Sequence, residues 1–214
     1  VLYDSGHRSL FLRSAYSDLS RAISGNVYDD ARRTFEACRD RIERLMGYDG
    51  ANAPIEIAEF SMGDSREEVH YRTWCLDNRL FLNPVNDLLL ESIAAHDCLT
   101  TPSIVVSMSE GSYYPAFYNQ LKQEYVSARY LYYEGISEEA SHFSDRGVLL
   151  YDTLDYPAYS LATEKLKLAY RAMYSLLDKV AYFLNKYFVL NIPERFVYFR
   201  SIWFNDGKPS GKLR

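Results

Sequence analysis

The chain has 214 residues, enough for one large domain or two small ones, with 24 basic against 29 acidic side chains and a net charge of −5. That balance argues against a protein that grips nucleic acid along its whole surface, and confines any contact with RNA to a local site. Cys38, Cys75 and Cys98 are widely spaced and form no Cys-x-x-Cys pair, which argues against a disulfide framework or a zinc ribbon and fits a reducing cytoplasm.

No apolar run is long enough to span a bilayer, and the N-terminus lacks a signal-peptide layout, so no membrane association is expected. The chain starts on Val1 and ends in a polar tail at 205–214; it is expected to be a piece of a longer protein. Tyrosine is frequent, at 20 residues. Tyrosines can stack on bases, but most fall on helical stripes, where a core role is the plainer reading.

In chain order, 10–24 and 28–46 read as two helices separated by Gly25-Asn26, the second with a stripe of Ala31, Phe35, Cys38, Ile42 and Leu45. Tyr28, Ala31, Phe35 and Cys38 match the second helix of a tetratricopeptide repeat in part; an ordinary helical hairpin is the alternative. A turn-rich connection is expected at 47–52, and 55–60 is either a short extended piece or the start of a helix. Over 69–82 the pattern alternates only weakly, and Asn83-Pro84-Val85-Asn86 breaks any continuous element. A short helix is expected over 88–95 and irregular chain over 101–108.

Residues 115–134 form a second strong helical pattern, with Phe117, Leu121, Tyr125, Ala128 and Tyr132 on one face and Gly135 at the expected stop. The longest periodic segment spans 157–190. Leu166, Tyr170, Met173, Leu177, Val180, Leu184 and Tyr187 recur at alternating spacings of four and three, and Leu161, Ala169, Ala172, Leu176 and Phe183 widen the stripe. Asp155 and Pro157 stand where an N-cap and first-turn proline belong, and Asn191 with Pro193 closes the far end. Two long antiparallel helices, completed from the N-terminal region or from 196–204 and beyond, make an all-α helical bundle with long irregular connections, preceded by a helical hairpin. The expected division is a hairpin at 1–50 and a bundle at 51–214.

Phosphate-loop, dinucleotide, zinc-hydrolase and nucleophile-elbow motifs are absent, and the four histidines lie in four different segments, so neither a metal nor another cofactor is expected. The candidate chemistry sits in Ser-His-Phe-Ser-Asp-Arg, where His142 precedes Asp145 and Arg146. A histidine beside a carboxylate can act as general acid or base, and an arginine can hold a phosphate. The plainer reading is a loop latch. Arg129, on the 115–134 helix, is either a catalytic candidate or one half of an ion pair with Glu164 or Asp178. Lys165, Lys167 and Arg171 start the long helix and read as a solvated face before they read as a phosphate site.

Four stretches together resemble a known family: 70–88 with its YRTWCLDNRLFLNP core, NQLKQEYVSARYLYYE at 119–134, 142–190, and FRSIWF at 199–204. They are similar to the HEPN domains (higher eukaryotes and prokaryotes nucleotide-binding) of the branch that follows tetratricopeptide repeats in bacterial proteins. The resemblance implies a helical bundle, a homodimer, and in many members a metal-independent endoribonuclease acting in phage defence or as a toxin. It also implies RNA as partner, with an upstream repeat region or a regulatory protein as a further one. In that family an arginine and a histidine, with four to six residues between them, share a helical face. The histidine moves a proton, the arginine stabilises the phosphorane, and the RNA's own 2′-hydroxyl attacks. No such pair occurs here: Arg66 and His70, the nearest case, have three residues between them and precede the bundle. The catalytic pair is therefore expected beyond residue 214, with His142, Arg146 and Arg129 as weaker catalytic candidates and Asp145 and Arg146 as supporting or RNA-contacting residues. A non-catalytic module that binds nucleotide, RNA or a protein, or a dimerisation scaffold, is the alternative.

Overall fold

The computed structural model describes residues 7–55, 59–88, 91–101, 113–138, 141–148 and 159–204. The elements among them are helical, in two compact units, Val1–Pro102 and Ser103–Arg214. The class is all-α, as the periodicities predict.

In the first unit α1 (His7–Ser24) and α2 (Asp29–Met46) form an antiparallel hairpin, followed by the short α3 (Tyr48–Ala51) where only a turn was expected. Tyr16, Ile42 and Ala51 are its buried centre, with Leu12, Ala15, Leu19 and Met46 around them. The Tyr16 hydroxyl donates to Glu43 at 2.7 Å, and that bond raises the phenol's pKa above its usual value. Asp29 and Asp30 sit in the first turn of α2, at the positive end of its dipole. Gly47 takes a positive φ of 73° past its last turn and donates to the Glu43 carbonyl. Ile42 is buried as its stripe predicts, but Leu45 and Cys38, expected beside it, are exposed, and Met46 packs in their place.

A second cluster follows, built from Cys75, Leu76, Phe81, Val85, Ala94 and Ala95. Its helix, α4 (Arg66–Asp77), corrects the weak-alternation reading of 69–82. Ser65 accepts from the Glu68 N–H at 3.1 Å, and Glu68 reaches back to the Asp64 N–H at 3.0 Å, which is capping-box chemistry. That N–H, and then Arg72, hold the Glu68 carboxyl below its usual pKa. Asn83 behaves as its position suggests: it accepts from the Val85 N–H and opens a 3₁₀ turn at Pro84–Asp87. The helix expected over 88–95 is a 3₁₀ turn, Ser92–Ala94, with 89–90 outside the described residues. Residues 56–58 and 102–108, within the stretches read above as extended and irregular, also lie outside them.

In the second unit α5 (Tyr113–Ser137) packs antiparallel on α6 (Leu161–Tyr187). Gly135 is not the stop of α5: it is buried inside the helix, where an added Cβ would sit 2.8 Å from Leu166 Cδ2. The helix needs a residue without a side chain there to let α6 approach. The start of α6 is also corrected. Ser160 is its N-cap, accepting from the Thr163 N–H at 3.1 Å, while Asp155 and Pro157 lie outside the described residues.

The packed face of α6 keeps most of the expected stripe and loses two of its residues. Ala169, Leu176 and Phe183 are buried, with Met173, Val180 and Tyr187 beside them, whereas Tyr170 and Leu177 are 70% and 40% exposed. Phe183 is the centre, touching Phe117 and Tyr118 at ring-centroid distances of 5.8 Å and stacking on Tyr187 at 5.6 Å. Ion pairs tie the flanks: Lys179 to Glu124 at 2.6 Å, and Lys165 to Glu138 at 3.4 Å and Glu134 at 3.7 Å.

Residues 190–202 supply no further long helix; a 3₁₀ turn at Glu194–Phe196 and tight turns fold back on α6 instead. Asn185, buried on α6, holds this return with both ends of its amide, donating to the Ile192 carbonyl at 2.9 Å and accepting from its N–H at 3.1 Å. Val197 and Ile202 then bury against Ala181.

Candidate functional site

The candidate chemistry lies in the short segment 141–148, between the end of α5 and the start of α6. His142 caps a 3₁₀ turn, Phe143–Asp145. Its Nδ1 accepts from the Ser144 N–H at 3.2 Å and stands 2.8 Å from the Ser144 hydroxyl. A ring whose Nδ1 accepts carries its proton on Nε2, the one nitrogen left for exchange with a substrate. The ring also lies against Phe143, centroids 4.1 Å apart.

Asp145 does not turn its carboxylate toward that ring. Both oxygens accept from the Leu161 N–H, at 3.0 and 3.1 Å, so the charge sits at the positive end of the α6 dipole. Together with Ser160 it satisfies N–H groups that a helix start leaves without an internal partner. The Arg146 side chain is exposed, with no ion pair among the described residues.

Arg129 lies elsewhere, eight residues before the end of α5, or about 12 Å at the rise of an α-helix. It is buried, with its guanidinium 5.6 Å from the centroid of the Tyr125 ring. The two carboxylates expected to pair with it are engaged differently: Glu164 bonds Lys167 at 2.7 Å, and Asp178 accepts from the Phe199 N–H at 3.2 Å. Of the sequence-derived candidates, His142, Asp145 and Arg146 share one short segment and Arg129 is apart from it. Arg66 and His70, one turn apart on α4, are both exposed and belong to the first unit.

Charge is divided unevenly. Residues 1–102 carry 11 basic against 17 acidic side chains, and 103–214 carry 13 against 12, so the acidity of the whole chain belongs to the first unit. On α6 the structure exposes Tyr170, which periodicity had assigned to the core, and with it Tyr174: both lie on the solvent side with ring centroids 6.3 Å apart and planes inclined by 27°. Their i, i+4 spacing, interleaved with Lys167 and Arg171, was the available signal. On the opposite flank, the Lys179 ammonium holds the Glu124 carboxyl below its usual pKa; the Gln120 amide adds to this and burial opposes it. Among the described residues no three His, Cys, Asp or Glu side chains are grouped as metal ligands, and no helix is long and apolar enough to cross a membrane.

A family model described as LA2681-like HEPN matches residues 105–214, just over half of the chain and nearly all of the second unit. The resembling stretch at 70–88 lies outside that match. No curated protein and no solved structure matches the chain.

Proposed function

The chain belongs to the LA2681-like HEPN family through residues 105–214, and from that membership we propose that its second unit serves a metal-independent, RNA-cleaving effector of the kind used in phage defence or as a toxin. The family match across α5 and α6 is the observation that carries this reading. In the proposed chemistry the RNA 2′-hydroxyl attacks its neighbouring phosphorus, a histidine moves the proton, and an arginine meets the charge on the phosphorane. No Arg–His pair of the family spacing occurs within the 214 residues, and we place the catalytic pair outside them. The role proposed for His142 and Asp145 is to set the α5–α6 connection, and for Arg146 to meet phosphate. Pairing of two copies and an upstream repeat region that docks or senses, as in the tetratricopeptide-associated branch, belong to the same proposal.

Incubating the protein with RNA in EDTA, and typing the product ends, tests this. Products ending in a 2′,3′-cyclic phosphate support it; hydrolysis that requires a divalent ion, or no turnover by the complete protein, overturns it. A second reading, a non-catalytic module that binds nucleotide, RNA or a protein partner, is favoured by the missing Arg–His pair. It predicts binding without turnover.

A further inference from the structure

We infer that the solvent face at the start of α6, carrying Lys167, Tyr170, Arg171 and Tyr174, is a stacking platform for single-stranded RNA. The inference rests on the reading above that RNA is this unit's substrate, and it locates where the strand is held.

The four residues fall at i, i+3, i+4 and i+7, which places them along one side of a helix. α5 covers the other side, where Ala169 and Leu176 are buried. Further along α6 the returning segment covers the helix, since Ala181 packs on Val197 and Ile202 and Asp178 is taken by the Phe199 N–H. The described residues leave the first half of the solvent face uncovered. There Tyr170 and Tyr174 are 70% and 64% exposed, and their rings present broad, nearly parallel faces.

Packing does not account for the pair, because neither ring belongs to a core cluster. The charges beside them select the occupant. Lys167 and Arg171 flank the rings; the Lys167 ammonium is bonded to Glu164 at 2.7 Å, an exposed pair, so the main cation offered to phosphate is Arg171. Arg171 has no ion pair among the described residues. Cations that alternate with exposed aromatic rings suit a strand whose bases stack and whose phosphates need neutralising. A duplex hides its base faces, so the fit is to single strands. A near-neutral unit supplies little long-range attraction, and binding here depends on these few groups.

The test is fluorescence anisotropy with a labelled 12-nucleotide oligouridylate and a duplex of the same length, using the intact protein. Single strands are expected to bind better than the duplex. Tyr170→Ala with Tyr174→Ala is expected to weaken binding at least ~10-fold, while Phe at both positions preserves it. Arg171→Gln is expected to lower the slope of log K against log salt by about 0.7, the value for one lost phosphate contact. Tyr28→Ala, an exposed tyrosine of the first unit, serves as the control and leaves binding unchanged. RNA bound or cleaved equally well by the tyrosine-to-alanine pair overturns the platform and leaves the ribonuclease reading standing. A change of oligomeric state in that pair, at unchanged RNA affinity, makes the face a protein contact and overturns it too. No binding and no cleavage by the unmutated protein removes both readings.

Discussion

Gly135 faces Leu166 where α5 meets α6, and Gly135→Ala sets two opposed effects against each other. Alanine in a helix interior gains about 1 kcal/mol over glycine. The added Cβ would lie 2.8 and 2.9 Å from Leu166 Cδ2 and Cγ and 3.1 Å from the Ala162 carbonyl oxygen. Carbon pairs rest at about 3.5–4.0 Å, so Leu166 must move by roughly 0.7 Å, and overpacking of this kind costs about 1–3 kcal/mol. The net expectation is a loss of about 1 kcal/mol. In a Leu166→Ala chain the two contacts under 3.0 Å are gone and only the 3.1 Å approach to the Ala162 carbonyl remains, so the same substitution is expected to be neutral to stabilising by about 0.5 kcal/mol, for a coupling of about 1–1.5 kcal/mol. Urea unfolding of the four chains measures this, followed by fluorescence of Trp203, which packs edge-on against Phe199. A shared Trp74→Phe background isolates that signal. If Gly135→Ala stabilises equally with and without Leu166, the close approach does not explain the glycine.

Five further outcomes are expected. Asn185→Ala removes both partners of the Ile192 amide and is expected to cost about 2–3 kcal/mol, with faster hydrogen exchange confined to 190–202; uniform protection would refute the clamp. Val189 is 68% exposed and held at a φ of 51°, a left-handed conformation unfavourable to a β-branched residue. Val189→Gly is therefore expected to raise stability by about 0.5–1 kcal/mol once glycine's greater unfolded freedom is subtracted, read as an upward shift in melting temperature. The Glu124 carboxyl has a folded pKa below its ordinary 4.5. Its stabilising contribution is present above about pH 4.5 and is lost as pH falls through the depressed folded value. Glu124→Gln should flatten acid unfolding in that window, and an unchanged profile counts against the Lys179 pair. Asp145→Ala is expected to lose about 0.5–2 kcal/mol by uncapping α6, and His142→Ala to leave EDTA-resistant RNA cleavage intact; loss of cleavage at normal stability would make His142 a catalyst.

Much of the fold was legible because helix period and caps are local. The two long helices of the second unit, the first hairpin and the Asn83 turn all follow from short-range pattern. α4 was missed because its hydrophobic period is weak, although Ser65 and Glu68 already held a capping signal. The site was less legible. Asp145 could be singled out in sequence, but its carboxylate serves a helix start 16 residues onward, which no local pattern reveals.

What the sequence determined by itself is the class, the main helix positions and the absence of a family-spaced Arg–His pair. What tertiary structure alone decided is which side of α6 is core. Ala169 beside Tyr170 and Leu176 beside Leu177 offer two apolar stripes about 100° apart. Periodicity cannot choose between them. The choice falls to α5, whose Gly135 admits Leu166 and whose Leu121, Phe117 and Tyr118 close around Leu176 and Phe183. Once that side is filled, Tyr170 and Tyr174 are left in water beside Lys167 and Arg171.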